Sequence, residues 1–381
     1  MKKALLPLLL VIPLVACHSK TDDIVYSAPS NLEITSSGHF TEIQSNYLAK
    51  EDYTDTSPYN GNMSVSKPAP VFLSWDSDAD TTFFVDLYKD EALKEHVVTY
   101  STNESHFEFY NPIFNQQYYA QVSLKDNDGK TYASEVINFK ESPTVAGPRN
   151  IHVDGVENFR DIGGWGTFVN DEYKTFIKQG MIYRSGRFNE DKEETVKPSI
   201  TEEGIYEVNN HLKIKTEIDL RRTSNNEVGG LTNKSVLGDN VNYIQLPMAY
   251  GGNNILTFTG KLSGDDYEYD NPAMIKRFFE ILADKNNYPI DFHCSIGKDR
   301  TGCLAYLVET LLGYGQYAFR DYMFTNFANA GMCKFTDLTE RYAGTINDYN
   351  TFDDNKTYAY LNEVVGISKD TLNSVIGILK A

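Results

Sequence analysis

The chain has 381 residues, room for about two domains at ~150 residues each, and its 41% hydrophobic and 23% charged residues make a globular composition. A formal net charge of −18 repels nucleic acid and anionic lipid headgroups at long range, so no nucleic-acid partner is expected and any phosphate site must be positive locally. After residue 16 no stretch approaches the ~18 apolar residues that a bilayer span needs.

In chain order, Met1-Lys2-Lys3 precedes an apolar run ending at Ala16, too short for a span and closed by small residues, which reads as a secretory signal. Leu14-Val15-Ala16-Cys17 resembles the bacterial lipobox. That resemblance implies removal of residues 1–16, acylation of Cys17 and a lipid anchor outside the cytoplasmic membrane, in the periplasm or at the cell surface. An ordinary cleaved signal is the alternative. Residues 17–28 then form a polar tether. With Cys17 lipidated, Cys294, Cys303 and Cys333 remain, an odd set that leaves at least one thiol unpaired in an exporting compartment. No zinc-type spacing or paired His/Asp set is present, so neither a metal nor another cofactor is expected.

Residues 29–141 run in short alternating segments with turn residues between them: 71–75, 83–88, 96–100, 105–109, 118–124 and 136–139. Such spacing predicts an all-β sandwich. The stretch 65–140 resembles a fibronectin type III module through Trp75 on an early strand, Tyr118 or Tyr119 at the tyrosine-corner position, and the turn Asp126-Asn127-Asp128-Gly129. Segment 27–64 is polar and rich in Tyr, Asn and Ser; its pattern assigns it no clear place, with an added first strand as one option. Residues 142–149, with Pro143, Gly147 and Pro148, read as a linker.

From 150 to 381 the pattern changes. Segments 216–220 and 288–292 read as buried strands, while 273–282 and 304–312 carry apolar residues at helical spacing. The succession predicts an α/β layer fold with a largely parallel sheet.

Between the second of those strands and the second helix lies His293-Cys294-Ser295-Ile296-Gly297-Lys298-Asp299-Arg300-Thr301-Gly302, a His-Cys-x5-Arg-Thr-Gly pattern. A free thiol has a pKa of ~8.5 and is mostly protonated at neutral pH, but a helix N-terminus favours the thiolate. The same amide groups, over residues 295–300 (Ser295 and Ile296 among them), can cradle phosphate oxygens. Gly297 lets the loop turn tightly, and Arg300 offers a planar fork for two oxygens. Lys298 adds a second cation, and Thr301 can donate its hydroxyl to the sulfur. His293 is expected to orient the loop by hydrogen bonding.

These residues resemble the cysteine-dependent tyrosine phosphatases, and Gly297-Lys298-Asp299-Arg300-Thr301-Gly302 resembles their atypical bacterial tyrosine/serine branch. Further stretches match in order: Asn158-Phe159-Arg160-Asp161-Ile162-Gly163-Gly164, Ile182-Tyr183-Arg184-Ser185-Gly186, Ile218-Asp219-Leu220-Arg221, the run from Asp321 to Asn326, and Gly366-Ile367-Ser368. The resemblance spans 150–381 and implies an α/β tyrosine phosphatase-like fold with Cys294 as nucleophile. No Asp follows Pro247 until Asp265, so the resemblance implies Asp299 as the general acid, ahead of Asp265, Asp266 and Asp161. Asp219 either orients Arg300 or simply ends its strand. Asn158, Arg160, Asp161 and Arg184 are either site-supporting residues or parts of charged turns and strand ends. Cys303 and Cys333 read as buried thiols, with a reversible Cys294–Cys303 disulfide as the alternative for Cys303.

Three functions fit: a phosphotyrosine phosphatase that also accepts phosphoserine or phosphothreonine, a phosphatase for phosphoinositides or other polyphosphate esters, and a surface binding module with an inactive catalytic half. The expected partner is a phosphorylated protein, a phospholipid or a small phosphoester, with the membrane reached through the lipid anchor. The oligomeric state is left open.

Overall fold

The computed structural model describes residues 26–55, 66–189, 200–222, 234–250, 255–328, 333–338 and 354–381. The signal at 1–16 and Cys17 lie outside the described residues.

The N-terminal unit is built from strands β1 (Ser30–Thr35), β2 (Val71–Asp76), β3 (Phe83–Tyr88), β4 (His96–Thr102), β5 (His106–Phe109), β6 (Gln117–Lys125), β7 (Thr131–Ala133) and β8 (Ile137–Lys140). They form two antiparallel sheets, β1-β2-β5 and β4-β3-β6-β7, with β8 also paired to β6. Alternation decides which face turns inward: Val71, Leu73 and Trp75 of β2 meet Phe83, Val85 and Leu87 of β3 in one buried cluster. Tyr118 is fully buried, and the amide of Ile113 donates to its hydroxyl oxygen at 3.0 Å. Asp126 closes the tight turn by accepting from the amides of Asp128 and Lys130 at 3.0 and 2.8 Å.

The polar segment before β2 does more than add a first strand. It also forms helix α1 (Glu42–Leu48), opened by a capping box between Thr41 and Gln44. Phe40, Tyr47 and Leu48 pack into the core of the C-terminal domain, and Arg320 donates to the Leu48 carbonyl at 3.1 Å. The segment read as a linker is tied down as well: Gly147, Pro148 and Arg149 are buried, and Arg149 donates to the carbonyls of Asn111 and Pro112 at 3.2 and 3.3 Å.

The C-terminal domain continues with β9 (Arg149–Asn150), β10 (Arg160–Asp161), the hairpin β11 (Gly166–Val169) and β12 (Glu172–Thr175), and β13 (Ile182–Ser185). Helix α2 (Glu202–Tyr206), which runs on through a π-helical turn at Glu207–Leu212, precedes β14 (Thr216–Asp219) and β15 (Asn242–Gln245). A hairpin of β16 (Thr259–Lys261) and β17 (Glu268–Asp270) leads to α3 (Asn271–Leu282), β18 (Ile290–His293), α4 (Asp299–Leu311), α5 (Gly315–Phe324) and α6 (Phe335–Leu338). Helices at Asp354–Ala359 and Lys369–Leu379 follow. The main sheet has the order β15-β14-β18-β13-β10-β9; its first four strands are parallel and the last two antiparallel. Every residue of β18 is buried, the polar Asp291 and His293 as well as Ile290 and Phe292, and α4 lies within the core along its whole length.

Candidate active site

In parallel sheets, sites form where the strands end and the helices begin. Here β18 lies between β13 and β14, and its end delivers His293 and then Cys294 into a loop that enters α4 at Asp299. Cys294, Asp299, Arg300 and Thr301 are almost wholly buried, so the strand–loop–helix arrangement expected from the motif is present.

Three successive loop carbonyls are drawn outward by separate side chains. Arg187 donates to the carbonyl of Ser295 at 3.1 Å and to its hydroxyl at 3.2 Å. Asn158 donates to the carbonyl of Ile296 at 3.1 Å, and Arg184 to that of Gly297 at 2.6 Å. In a trans peptide C=O and N–H point opposite ways, so outward carbonyls turn the amides of Ile296, Gly297 and Lys298 inward, as an anion cradle requires. Gly297 has φ +70°, and a Cβ there would lie 2.4 Å from the Ser185 carbonyl oxygen, so only glycine fits.

A charge network fixes the residues that hold the loop. Asp321 on α5 accepts from Arg160 at 3.0 Å and from Arg184 at 2.5 Å, and all three are buried. Arg160 also bonds the Asn158 side chain. Asn158 and Arg184 thus bond the loop directly, and Arg160 reaches it through Asn158 and Asp321. Asp161 works elsewhere, receiving Arg149 at 3.0 and 2.7 Å and the amides of Gly163 and Gly180 at 2.8 and 2.7 Å.

Behind the cysteine, His293 bonds Glu217 at 2.9 Å and the Cys294 carbonyl at 3.3 Å. Burial opposes its protonation, but the carboxylates of Asp219 and Glu217 raise its pKa to about 9, so the ring is a fixed cation at neutral pH. Asp219 ends β14, with its carboxylate held by Arg221 at 2.6 Å and by the Tyr243 hydroxyl at 2.8 Å. Against the penalty of burial, Arg221 and His293 hold Asp219 well below the usual carboxylate range. Arg300 donates to the carbonyls of Leu220 and Met248 at 3.2 and 3.5 Å, and the half-exposed Tyr250 ring lies over its guanidinium at 5.9 Å.

Of the carboxylates weighed as proton donors, Asp299 alone sits in the loop–helix junction itself. Asp265 accepts from the Tyr267 amide at 3.0 Å and the Tyr269 hydroxyl at 2.6 Å, and Asp266 is exposed. Lys298 lies 3.7 Å from Asp337 on α6. The Thr301 hydroxyl is buried without a hydrogen-bond partner among the described residues. Cys303 and Cys333 are buried free thiols; burial raises Cys303 far above the ordinary value and Cys333 to about 12, so both stay protonated. Sequence alone assigns no role to Arg187, Asp321 or Glu217. Two of them carry a local sign: Asp321 opens a family-like run, and Arg187 is a cation three residues beyond Arg184.

No curated protein matches this chain. Among solved structures it is similar to the core catalytic domain of the PP-IP phosphatase SIW14 from S. cerevisiae in complex with citrate, with 17% identity, TM-score 0.27, and 46% of this chain and 93% of that one covered. It is also similar to P. aeruginosa TpbA, with 15% identity, TM-score 0.24, and 54% and 89% covered. The model of the tyrosine phosphatase family matches residues 151–381, the stretch that holds the main sheet apart from β9, the cysteine loop and its supports. This chain is a member of the tyrosine phosphatase family and a tyrosine-phosphatase-like hydrolase of the cysteine type.

Proposed function

We propose that the chain hydrolyses phosphotyrosine, and also phosphoserine or phosphothreonine, through a phosphocysteine on Cys294. The observation that carries this reading is the loop whose three outward carbonyls leave inward amides between Cys294 and Arg300. The thiolate attacks phosphorus and forms an S–P bond, while the ester P–O bond breaks and its electron pair leaves with the substrate oxygen. Asp299 supplies that oxygen with a proton. Water then attacks the phosphocysteine and gives its proton to Asp299, and the S–P bond breaks to restore the thiolate, to which Thr301 donates a hydrogen bond. Arg300 and the loop amides hold the transferring oxygens throughout.

Tyr250 favours the aromatic ester, because its exposed ring beside Arg300 offers a surface against which a phenyl ring can pack. The polyphosphate reading rests on Lys298, whose charge Asp337 already partly answers. In the same proposal residues 1–16 are a signal, Cys17 carries the lipid that holds the enzyme outside the cytoplasmic membrane, and 29–141 is a fibronectin type III-like spacer or docking unit. The Cys17 assignment draws its support from the lipobox order, and the module from Trp75 and Tyr118 in the sandwich core.

The test is turnover, with chelator present, on a phosphotyrosine peptide, a phosphoserine peptide and inositol phosphates. Fastest turnover on phosphotyrosine is expected; exclusive turnover of inositol phosphates would replace this reading with the second. For Asp299→Asn, kcat should fall roughly a hundredfold on an alkyl phosphate and far less on p-nitrophenyl phosphate, whose leaving group needs no proton. Equal losses on both would remove Asp299 from the acid role.

A further inference from the structure

A cavity of about 560 Å³ opens where the β-sandwich meets the C-terminal domain, and neither Cys294 nor any residue of its loop lines it. Its volume is that of a site for one small ligand. The sandwich side presents Tyr100, Phe107 and Phe109, with Tyr100 and Phe107 stacked at 4.7 Å between centroids. The opposite side adds Tyr206, whose ring is 6.2 Å from that of Tyr100. The hydroxyls are engaged by neighbours on the lining: Tyr100 donates to Glu207 at 2.6 Å, and Tyr206 to the Thr99 carbonyl. The rings thus form an apolar wall anchored at its edges.

The charged side chains that line the cavity itself are acidic. Glu108, Asp154, Glu202, Glu203 and Glu207 all line the cavity, and among the described residues no Lys or Arg does. Burial works against ionisation of Glu207, but His211, Asn111 and Tyr100 hold its pKa below the ordinary value, so it is charged at neutral pH. His152, also on the lining, adds no positive charge: burial and Lys67 lower its pKa to about 4. Lys67 itself lies 5.4 Å from the Tyr110 ring and Lys125 5.7 Å from the Phe84 ring, so two rings of the lining already carry an ammonium. Carboxylates are abundant on a chain of net charge −18 and would say little alone; the concave aromatic wall, with no lining Lys or Arg among the described residues, is the independent feature.

We propose that this cavity binds a small organic cation, an alkylammonium or quaternary ammonium on an apolar body. Ring faces attract such a cation through their quadrupoles, most strongly when water is excluded, and the acidic rim turns away anions, including the phosphoesters drawn to the catalytic loop. Because both domains build the walls, the bound cation stabilises their joint.

The experiment is calorimetric titration of the full chain with choline and with its neutral isostere 3,3-dimethylbutan-1-ol. Choline is expected to bind at least about tenfold more tightly than the alcohol, and to raise the unfolding temperature. The exposed pair Glu202→Gln with Glu203→Gln should weaken choline several-fold, and Tyr100→Leu roughly tenfold, while turnover at Cys294 is retained as the check on folding. Should Tyr100→Leu fail to fold, the glutamine pair decides alone. Equal binding of the two probes, no binding of choline, or choline binding untouched by the glutamine pair would each overturn the proposal. So would a lysine-rich peptide that binds this cavity far more tightly than choline, because the face would then be a protein-docking surface.

Discussion

Replacing Cys294 by serine should lower kcat/KM on phosphotyrosine by roughly four orders of magnitude or more, with an unfolding midpoint close to that of the native chain. Sulfur and oxygen differ little in size at this buried position, and Arg187, Asn158 and Arg184 hold the loop by its carbonyls. The chemistry differs greatly. A thiol with a pKa of ~8.5 needs only modest help from a helix N-terminus to ionise, whereas an alcohol stays protonated and attacks phosphorus poorly. Phosphate-ester binding should persist, because Arg300 and the loop amides are intact. Steady-state kinetics with equilibrium binding of a phosphotyrosine peptide provide the check. A serine variant within tenfold of the native rate would refute the covalent route.

Asp321→Asn should destabilise the C-terminal domain by about 3–5 kcal/mol and lower turnover at least about tenfold, although Asp321 belongs to α5 and not to the cysteine loop. The native carboxylate compensates two buried guanidiniums, those of Arg160 and Arg184. An asparagine leaves both charges in a low-dielectric interior with a neutral partner. Buried Glu309 softens the blow. Burial and the charge of Asp321 raise its pKa, and with that charge removed it ionises more readily and restores part of the compensation, which puts the loss toward the lower end. Turnover falls because Arg184 holds the Gly297 carbonyl at 2.6 Å, and a slack hold lets the loop amides turn away from the phosphate oxygens. Denaturant unfolding and kinetics on one preparation test both effects. A variant with native stability would show that the guanidiniums do not depend on this carboxylate.

Local features were legible in the sequence because their causes are local. The alternation of Phe83–Tyr88 lies within one strand, and its inward faces are the residues buried in the sandwich. The motif from His293 to Gly302 is contiguous, so the strand before it and the helix after it could be read from the residues alone. The short helix Glu42–Leu48 was harder, because seven residues make barely two turns and most of what stabilises it is docking on a distant core. Its only sequence mark, Thr41 with Gln44, is common in loops.

From its own residues the chain determines the chemistry it carries: a thiol, an acid and a guanidinium set at fixed intervals where a strand gives way to a helix. Tertiary structure alone decides which distant side chains make that interval work. Asn158, Arg184 and Arg187 reach the loop from more than a hundred residues away, and Asp321 joins from another helix. A buried ion network is set by approach in space and by the exclusion of water, and neither quantity is written in the order of the chain.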